Sequence, residues 1–275
     1  MIDNWLEKTV IVTGAASGIG RAISEELASR GAIVYVTALT LRDCQPVVDA
    51  IIDRGYRAHP AKLDVNNWDE FQRVIHAVRQ RHGKLDVLIN NAALLYVGEF
   101  YDMDEPFIDK LVKTNFTSVT IGCMYAYRLM KAQGHGLIVN ISSMGGFTPT
   151  PTMVAYAATK HALIGLTHSL ASEADVFGVE IKTVCFGLVD SELFQHALMK
   201  QGDEQTVHAI MPIKALPPAT AAKRCVDQLA KKRRIVFVPF YARLAWWVYR
   251  FFPAILFNGA PTTMQRYREL VSPRE

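Results

Sequence analysis

Short apolar runs alternate along the chain with longer stretches that have the period of an amphipathic helix. The runs are rich in β-branched residues and short enough for buried strands, and they lie at 9–13, 33–37, 57–63, 85–89, 136–141, 179–185 and 235–238. The helical stretches between them include 21–30, 44–54, 106–132 and 155–177. Strands that alternate with helices in this way predict a parallel sheet with helices on both faces, joined by right-handed crossovers.

The length and composition of the chain fit one large α/β core. The chain has 275 residues, of which 50% are hydrophobic and 20% charged, as in ordinary soluble globular proteins. No repeat or linker divides it, so we predict one main domain over 1–240 and a C-terminal extension over 241–275. The four cysteines stand far apart in the chain, which indicates reduced thiols of a cytoplasmic protein.

Charge and histidine spacing argue against several partners. A formal net charge of +4 is too small to indicate a nucleic-acid partner. The N-terminus has no basic region followed by an apolar stretch, so no secretory signal is expected. None of the eight histidines stands at metal-ligand spacing from a cysteine or a carboxylate, and no metal is predicted.

A glycine-rich turn joins the first predicted strand to the first predicted helix. It reads Gly14-Ala-Ala-Ser-Gly18-Ile-Gly20, a spacing that departs from the commoner Gly-x-Gly-x-x-Gly. Gly14 permits the tight turn, Gly18 lets a pyrophosphate approach the backbone, and Gly20 lets the helix pack closely on the strand. The helix N-terminus adds N–H donors and the positive end of a dipole. The turn therefore predicts a nucleotide phosphate site, with Ser17 and Ile19 beside it.

Tyr156 and Lys160 stand four residues apart in a predicted helix, which puts both side chains on one face. A nearby cation favours the phenolate and lowers the pKa of a tyrosine from its usual value of about 10. Such a tyrosine is a plausible acid and base at cellular pH. The pair alone is weak evidence, because many helices carry it with the tyrosine merely covering the lysine stem. Ser142 and Ser143 follow the apolar run 137–141, at a strand end where ligands of parallel sheets bind.

Together these motifs resemble the short-chain dehydrogenase/reductases, a family that binds a nicotinamide cofactor. The resemblance covers about residues 8–192 and includes, in the family's order, Asp64-Val65, Asn90-Asn91-Ala92, Asn115, Ser143 and Tyr156-x-x-x-Lys160. Ser143 precedes Tyr156 by 13 residues and Asn115 precedes it by 41, both usual spacings in the family. The resemblance implies a Rossmann-type, doubly wound parallel sheet of seven strands in the order 3-2-1-4-5-6-7.

The resemblance also implies a role for each matching residue. Tyr156 would be the general acid in ketone reduction and the base in alcohol oxidation, and Lys160 would lower its pKa and hold the nicotinamide ribose. Ser143 would hydrogen-bond the substrate oxygen, with Ser142 as its rival. Asn115 would kink its helix and hold a water of the proton relay. The other cofactor contacts would be Gly14, Ser17, Gly18, Ile19, Gly20, Asp64, Val65, Asn91, Ala92, Val189 and Ser191.

The position that usually selects between the two nicotinamide cofactors carries no carboxylate. An acid at the end of the second strand would accept the adenosine ribose hydroxyls and repel a 2′-phosphate, and Ala38 stands there. The basic residue that often precedes the second glycine in NADP enzymes is also missing. Thr37, Thr40 and Arg42 are candidate ligands of a 2′-phosphate, although Arg42 is equally well interpreted as a solvated loop charge. We therefore predict a slight preference for NADP(H) over NAD(H).

Beyond residue 190 the family diverges, and this part of the chain is expected to set the substrate. We predict a helical lid at about 190–215. The aromatic and basic segment 241–257 is too interrupted by arginine and proline to span a bilayer. It either packs against the fold or a partner subunit, or it contacts a membrane interface together with the basic run 231–234. Under both interpretations its apolar surface predicts a lipophilic substrate, such as a steroid or a long-chain ketone.

The sequence predicts an NAD(P)(H)-dependent oxidoreductase that interconverts a secondary alcohol and a ketone. Two alternative functions stay open. An isomerase or dehydratase of the extended branch of the family would have a longer chain and another glycine spacing. A catalytically silent nucleotide sensor would commonly have lost Tyr156 or Lys160, and both are present. By analogy with relatives, a homodimer or homotetramer would form through the helices that contain Asn115 and Tyr156.

Overall fold

A computed structural model describes residues 4–211 and 213–272 of the chain. Its strands are β1 (Thr9–Val12), β2 (Ile33–Ala38), β3 (Arg57–Lys62), β4 (Val87–Asn90), β5 (Tyr96–Val97), β6 (Gly136–Ser143), β7 (Val179–Phe186), β8 (Leu198–Met199) and β9 (Ile235–Val238). Its helices are α1 (Gly18–Ser29), α2 (Leu41–Ile52), α3 (Trp68–His82), α4 (Glu105–Val112), α5 (Ser118–Gln133), α6 (Val154–Ala174), α7 (Glu204–Ile210), α8 (Pro218–Leu229), α9 (Phe240–Phe251) and α10 (Pro253–Val271).

Seven of the strands form one parallel sheet in the order β3-β2-β1-β4-β6-β7-β9. This order confirms the predicted Rossmann-type, doubly wound sheet, with β9 as its seventh strand. The chain order reverses between β1 and β4, so a crevice opens outside the carboxyl ends of these two strands. A separate parallel pair, β5 with β8, lies outside the main sheet.

The central strands are apolar throughout because helices cover both faces of the sheet. All residues of β1 and β4 are buried. One face packs on an apolar cluster that includes Ile23 of α1 and Val226 of α8. The opposite face packs on a second cluster, which includes Phe71 of α3 and Leu163 of α6. Two well-filled layers therefore hold the strand ends at the crevice in fixed positions.

The structure corrects two of the predicted elements. The second helix begins at Leu41 and not at Cys44, because Thr40 caps it by accepting a hydrogen bond from the Asp43 N–H at 3.2 Å. The lid is helical only in α7. The segment before α7 consists of turns and of β8, which pairs in parallel with β5 through Leu198 and Tyr96.

The C-terminal extension packs back on the lid. Tyr267 of α10 is fully buried, and its hydroxyl donates to the Gln201 carbonyl at 3.0 Å. Arg268 forms a two-pronged ion pair with Glu99, at 2.8 and 2.6 Å. The extension therefore forms part of the cavity wall described below.

Candidate active site

A cavity of about 890 Å³ opens at the carboxyl edge of the main sheet. One half is formed by the glycine turn and the loops that follow β3 and β4. The other half is formed by the loop 144–153, the lid and α10. The predicted residues that line it are Gly14, Ser17, Gly18, Ile19, Gly20, Ala38, Asp64, Val65, Asn91, Ala92, Ser143, Tyr156, Lys160, Val189 and Ser191. One cavity therefore contains most of the residues that the motifs indicated, spread over the chain.

The glycine turn has no room for larger side chains. Gly14 adopts φ +60°, and a Cβ placed there would lie 2.9 Å from the Cα of Ala92. A Cβ on Gly20 would overlap the Gly14 carbonyl and the Asn91 side chain. The Asn91 amide braces the turn by donating to the carbonyls of Thr13 and Gly14, at 2.9 and 3.0 Å. The turn is thus a stiff cradle at the start of α1, whose first N–H groups have no partner within the helix.

An anionic group already lies against this cradle. The Glu192 carboxylate accepts a hydrogen bond from the Gly18 N–H at the start of α1. A carboxylate at a helix N-terminus is stabilised by the free N–H groups and by the helix dipole. The contact shows that the cradle accepts an anion, as a pyrophosphate site must. Sequence reasoning missed Glu192, and its only signal was its position after Ser191.

A buried acceptor without a partner lies in the loop that follows β3. The Asn66 amide donates to the Thr114 hydroxyl at 2.9 Å, but its Oδ1 is buried and has no hydrogen-bond partner among the described residues. Leaving such an acceptor unsatisfied costs about 1–3 kcal/mol. Asn66 lines the cavity next to Asp64 and Val65. The amino group of a bound base would supply the hydrogen bond that the Asn66 Oδ1 lacks. The cavity therefore fits a dinucleotide at both its phosphate and its base.

Tyr156, Lys160 and Ser143 lie together at the other end of the cavity. The Lys160 Nζ is 5.4 Å from the centre of the Tyr156 ring and donates to the Ile141 carbonyl at 2.9 Å. The Ser143 hydroxyl accepts from the Gly145 N–H at 3.1 Å and lines the cavity. The Ser142 hydroxyl also lines it but donates to the Lys160 carbonyl at 2.9 Å, which ties α6 to β6. The geometry therefore favours Ser143 over Ser142 as the substrate contact.

The pKa of Tyr156 moves against the direction expected from the sequence. Burial raises it to about 12, and the hydrogen bond with Ser143 offsets this only in part. Burial also lowers the pKa of Lys160 to about 8. The expectation that Lys160 lowers the pKa of Tyr156 overlooked desolvation, which is the largest influence on the pKa of this buried phenol. The phenol is therefore neutral at pH 7, and this is the protonation state that a general acid needs.

Asn115 lies behind the cavity wall and does not line the cavity. A π-helical turn over Lys113–Thr117 separates α4 from α5 and interrupts the predicted helix at this residue. The Asn115 side chain accepts from the Leu94 N–H at 2.7 Å and donates to the Leu94 carbonyl at 2.8 Å. It also donates to the Thr159 hydroxyl at 3.4 Å. Asn115 thus connects the loop after β4 to α6, and its role in a proton relay stays a prediction.

Two of the predicted cofactor contacts lie outside the cavity lining. Thr37 is fully buried in the sheet and its hydroxyl donates to the Val12 carbonyl at 3.0 Å, so it is unavailable to a 2′-phosphate. Arg42 is exposed in the first turn of α2, and no ion pair links it to the described residues. Thr40, which caps this helix, donates to the Asp43 carboxylate at 2.7 Å. Of these three described residues, Arg42 is the one that remains a free donor for that phosphate.

A dinucleotide cradle beside a neutral tyrosine, a lysine and a serine defines a nucleotide-dependent oxidoreductase. Comparison with known proteins shows the family to which the chain belongs. The model of the family described as short chain dehydrogenase matches residues 8–202, and the chain belongs to this family. It is an NAD(P)-dependent oxidoreductase, and the part of the chain after residue 202 lies outside the family match.

Named relatives act on chemically different substrates. The chain is 34% identical over 194 residues to a 3beta-hydroxysteroid dehydrogenase of Mediterraneibacter gnavus, covering 70% of this chain and 69% of the relative. It is 31% identical over 216 residues to a D-beta-hydroxybutyrate dehydrogenase of Rhizobium meliloti, covering 75% and 83% of the two chains. A metagenomic short-chain oxidoreductase solved in complex with NADP is 28% identical, with a TM-score of 0.71 over 86% of this chain and 98% of that one.

Proposed function

We propose that this protein interconverts a secondary alcohol and a ketone on a lipophilic substrate and prefers NADP(H) over NAD(H). The observation that carries the proposal is the apolar wall around Tyr156. The side chains of the apolar cluster around Tyr156 that also line the cavity are Leu95, Met153, Leu193, Phe194 and Met211. A wall of this kind favours a hydrocarbon skeleton and offers few partners for a hydroxylated one.

The chain's own residues account for proton transfer and orientation. The bound cofactor supplies or accepts the hydride. In reduction the Tyr156 O–H donates its proton to the substrate carbonyl oxygen, while the Ser143 hydroxyl holds that oxygen by a hydrogen bond. Lys160 lies between the tyrosine and β6, where its amine can also reach a cofactor ribose. The lid and the loop 144–153 line this end of the cavity.

A substrate screen tests this proposal directly. Steroids and long-chain ketones and alcohols are compared with short hydroxy acids, sugars and polyols, and the absorbance of both reduced cofactors is followed. We expect kcat/KM to rise with chain length or ring number, because each buried methylene adds about 0.8 kcal/mol of transfer free energy. Turnover of only small polar compounds would overturn the lipophilic assignment.

The preference for NADP(H) is proposed to depend on Arg42. Arg42→Ala should raise the dissociation constant for NADP by about tenfold, the usual loss for one charge-assisted phosphate contact, and leave that for NAD unchanged. Arg54→Ala is the matched control, because Arg54 follows the other end of α2 and pairs with Glu25. Fluorescence titration measures both constants. An unchanged dissociation constant for NADP would show that Arg42 is a solvated loop charge, the alternative interpretation given in the sequence analysis.

Glu192 is expected to oppose cofactor binding, because its carboxylate lies where the pyrophosphate would bind. Glu192→Gln keeps the size of the side chain and removes its charge. We expect the dissociation constants for NAD and NADP to fall about fivefold, because like charges in a shared site repel. Glu204→Gln in α7 is the control, since that carboxylate lies near His208 and outside the cavity lining. Adenosine, which has no phosphate, should bind both variants equally; a gain for adenosine would contradict the charge argument.

The protein is further proposed to act in the cytoplasm as a homodimer or homotetramer. Free thiols support a cytoplasmic location, where thiols stay reduced: all four cysteines are buried and unpaired. On α6, Gly165 leaves open space beside it, which would let a helix of a second copy approach closely. Light scattering at graded concentrations tests the assembly, and Gly165→Leu should weaken it if α6 is the contact.

A further inference from the structure

The outward face of the C-terminal helices carries a regular pattern of aromatic and basic side chains. In α9 the exposed residues follow helical spacing and all lie on one face: Phe240, Arg243, Leu244, Trp247, Arg250 and Phe251. The turn into α10 and its first residues add three exposed apolar side chains, Phe252, Ile255 and Phe257, which are 63%, 62% and 54% exposed. Exposed apolar surface of this extent on water-facing helices indicates an interaction site. We name these nine residues the aromatic face.

The body of the protein holds this face in place. On the inner side of α9, Ala242 is buried and the Tyr241 hydroxyl accepts a hydrogen bond from the Leu188 N–H at 3.0 Å. The Trp246 ring packs on Phe237 of β9 with ring centres 5.8 Å apart. The same helix therefore anchors inward through one set of residues and presents the aromatic face outward through another.

Cations surround the aromatic face, and acids are absent from its segment. Residues 228–268 contain eight of the chain's 30 basic residues and none of its 26 acidic residues. The remainder of the chain thus holds 22 basic against 26 acidic residues, so the positive charge of the protein resides here. Arg234 pairs with Asp175 and Arg268 with Glu99, while the guanidinium of Arg250 lies 5.7 Å from the Trp246 ring centre. The run 231–233 and Arg243 add further charge around the face.

We propose that the aromatic face docks on an anionic lipid bilayer, and that lipophilic substrates reach the cavity from that bilayer. Aromatic rings with flanking arginines suit the headgroup boundary, and anionic headgroups complement a segment that has cations only. A second copy of the chain is a poorer occupant. In a two-fold dimer the same patch meets itself, which would bring the arginines of both copies together.

The cavity opens beside this face. Ile255 of α10 lines the cavity and is also 62% exposed, and Ile213 after α7 lines it and is 38% exposed. Both therefore lie at the rim, and the rim is apolar. The inner side of the same hairpin forms the cavity wall through Ala245, Leu256 and Ala260. A substrate dissolved in the bilayer would thus pass directly between the lid and α10.

No helix among residues 4–211 and 213–272 combines the length and apolarity needed to cross a membrane. The contact is accordingly with the surface of a bilayer. Docking rests on the aromatic face alone, whereas substrate entry from the bilayer also rests on the proposed function. The two parts are tested by separate measurements.

Vesicle flotation of the full chain tests the docking. The protein should float with phosphatidylcholine vesicles that contain about 30% phosphatidylglycerol, bind pure phosphatidylcholine at least tenfold more weakly, and dissociate at high salt. Trp247→Glu should abolish flotation, and Arg243→Ala with Arg250→Ala should weaken it about tenfold. Ile52→Glu is the control, because Ile52 is 51% exposed at the end of α2, which packs on β2 and β3 at the other end of the strand order from β9. Equal flotation of wild type and Trp247→Glu would overturn the docking, as would a dimer that Trp247→Glu dissociates without any vesicle binding.

Turnover in vesicles tests substrate entry. Trp247→Glu should raise KM at least fivefold for a long-chain ketone presented in anionic vesicles and leave KM for a short, water-soluble ketone unchanged. Tyr156→Phe should float like the wild type, because docking does not use the chemistry. Flotation without activity on any ketone would contradict the proposed function and leave docking intact. Equal KM values of the wild type and Trp247→Glu for the long-chain ketone in vesicles would overturn entry from the bilayer.

Discussion

Tyr156→Phe is expected to lower turnover by about 10²–10⁴-fold, the usual contribution of a positioned general acid or base. The phenylalanine ring fills the same space in the apolar cluster around Tyr156, so the fold and the cavity should be kept. The dissociation constants for both cofactors should change by less than about threefold, since the cradle of the glycine turn is unaltered. Stopped-flow turnover and fluorescence titration measure the two effects separately.

Tyr96→Phe is the matched control for this substitution. Tyr96 is as buried as Tyr156 and also loses one hydrogen bond, from its hydroxyl to the Glu99 carbonyl at 3.3 Å, but it does not line the cavity. Its turnover should stay within about twofold of the wild type. If Tyr156→Phe behaved the same way, the phenol would not be the proton donor. A wild type that binds the cofactor and turns over no substrate would instead favour the nucleotide-binding sensor.

The pH dependence of turnover follows from the two pKa shifts in this site. Reduction needs a protonated phenol, and a pKa of about 12 keeps Tyr156 protonated across the physiological range. Lys160, with a pKa of about 8, loses its positive charge above that pH. The rate of ketone reduction should therefore be level below pH 8 and decline above it, if the charged amine supports the reaction. A rate that is unchanged up to pH 10 would show that a neutral amine suffices.

The alternation of strands and helices and the glycine turn were predictable because they depend on local patterns, whereas the strand order and the roles of the site residues followed from the resemblance to the family. Buried parallel strands read as apolar runs, and strand–glycine–helix is a local signal for an anion cradle. The position of Asn115 came from the same resemblance, through its spacing from Tyr156, and the structure places it in a π-helical turn. The buried strands and the glycine turn, by contrast, need only neighbours in sequence.

What the sequence could not supply depends on burial and on distant contacts. The rise in the pKa of Tyr156 comes from desolvation by side chains as remote in sequence as Val207. Glu192 meets Gly18 across 174 positions of the chain. The prediction that 190–215 is helical was wrong over β8, because pairing with β5 outweighs the local helical pattern. The role of α10 in the cavity wall also depends on a long-range contact, the anchor of Tyr267.

Lys160→Met should abolish most turnover and yet increase the free energy of unfolding at pH 7. Burial lowers the pKa of Lys160 from 10.5 to about 8, so the folded protein resists the charge that the lysine carries at pH 7. Each unit of such a shift corresponds to about 1.4 kcal/mol. The gain is reduced by about 1 kcal/mol for the lost hydrogen bond to the Ile141 carbonyl, so a net gain of about 1–3 kcal/mol is expected.

The gain should depend on pH with a defined sign. Below pH 8 the lysine is protonated in both states and the folded wild type carries the whole penalty. Between pH 8 and about 10.5 the unfolded wild type binds more protons than the folded one, so the stability of the wild type rises with pH and the advantage of the variant disappears. Urea unfolding of both proteins at pH 7 and pH 9.5 measures this difference.

Lys182→Met separates this effect from the removal of any buried lysine. Lys182 is also 3% exposed, but its Nζ donates to the carbonyls of Leu229 and Lys231 at 2.6 and 2.9 Å and pairs with Glu180 at 2.9 Å. Its replacement should cost about 1–3 kcal/mol, because buried acceptors lose their donor. If Lys160→Met raised the free energy of unfolding and Lys182→Met lowered it, Lys160 would be a lysine that serves the reaction and destabilises the fold. Destabilisation by both would instead make Lys160 a structural lysine, and its place beside Tyr156 would need another explanation.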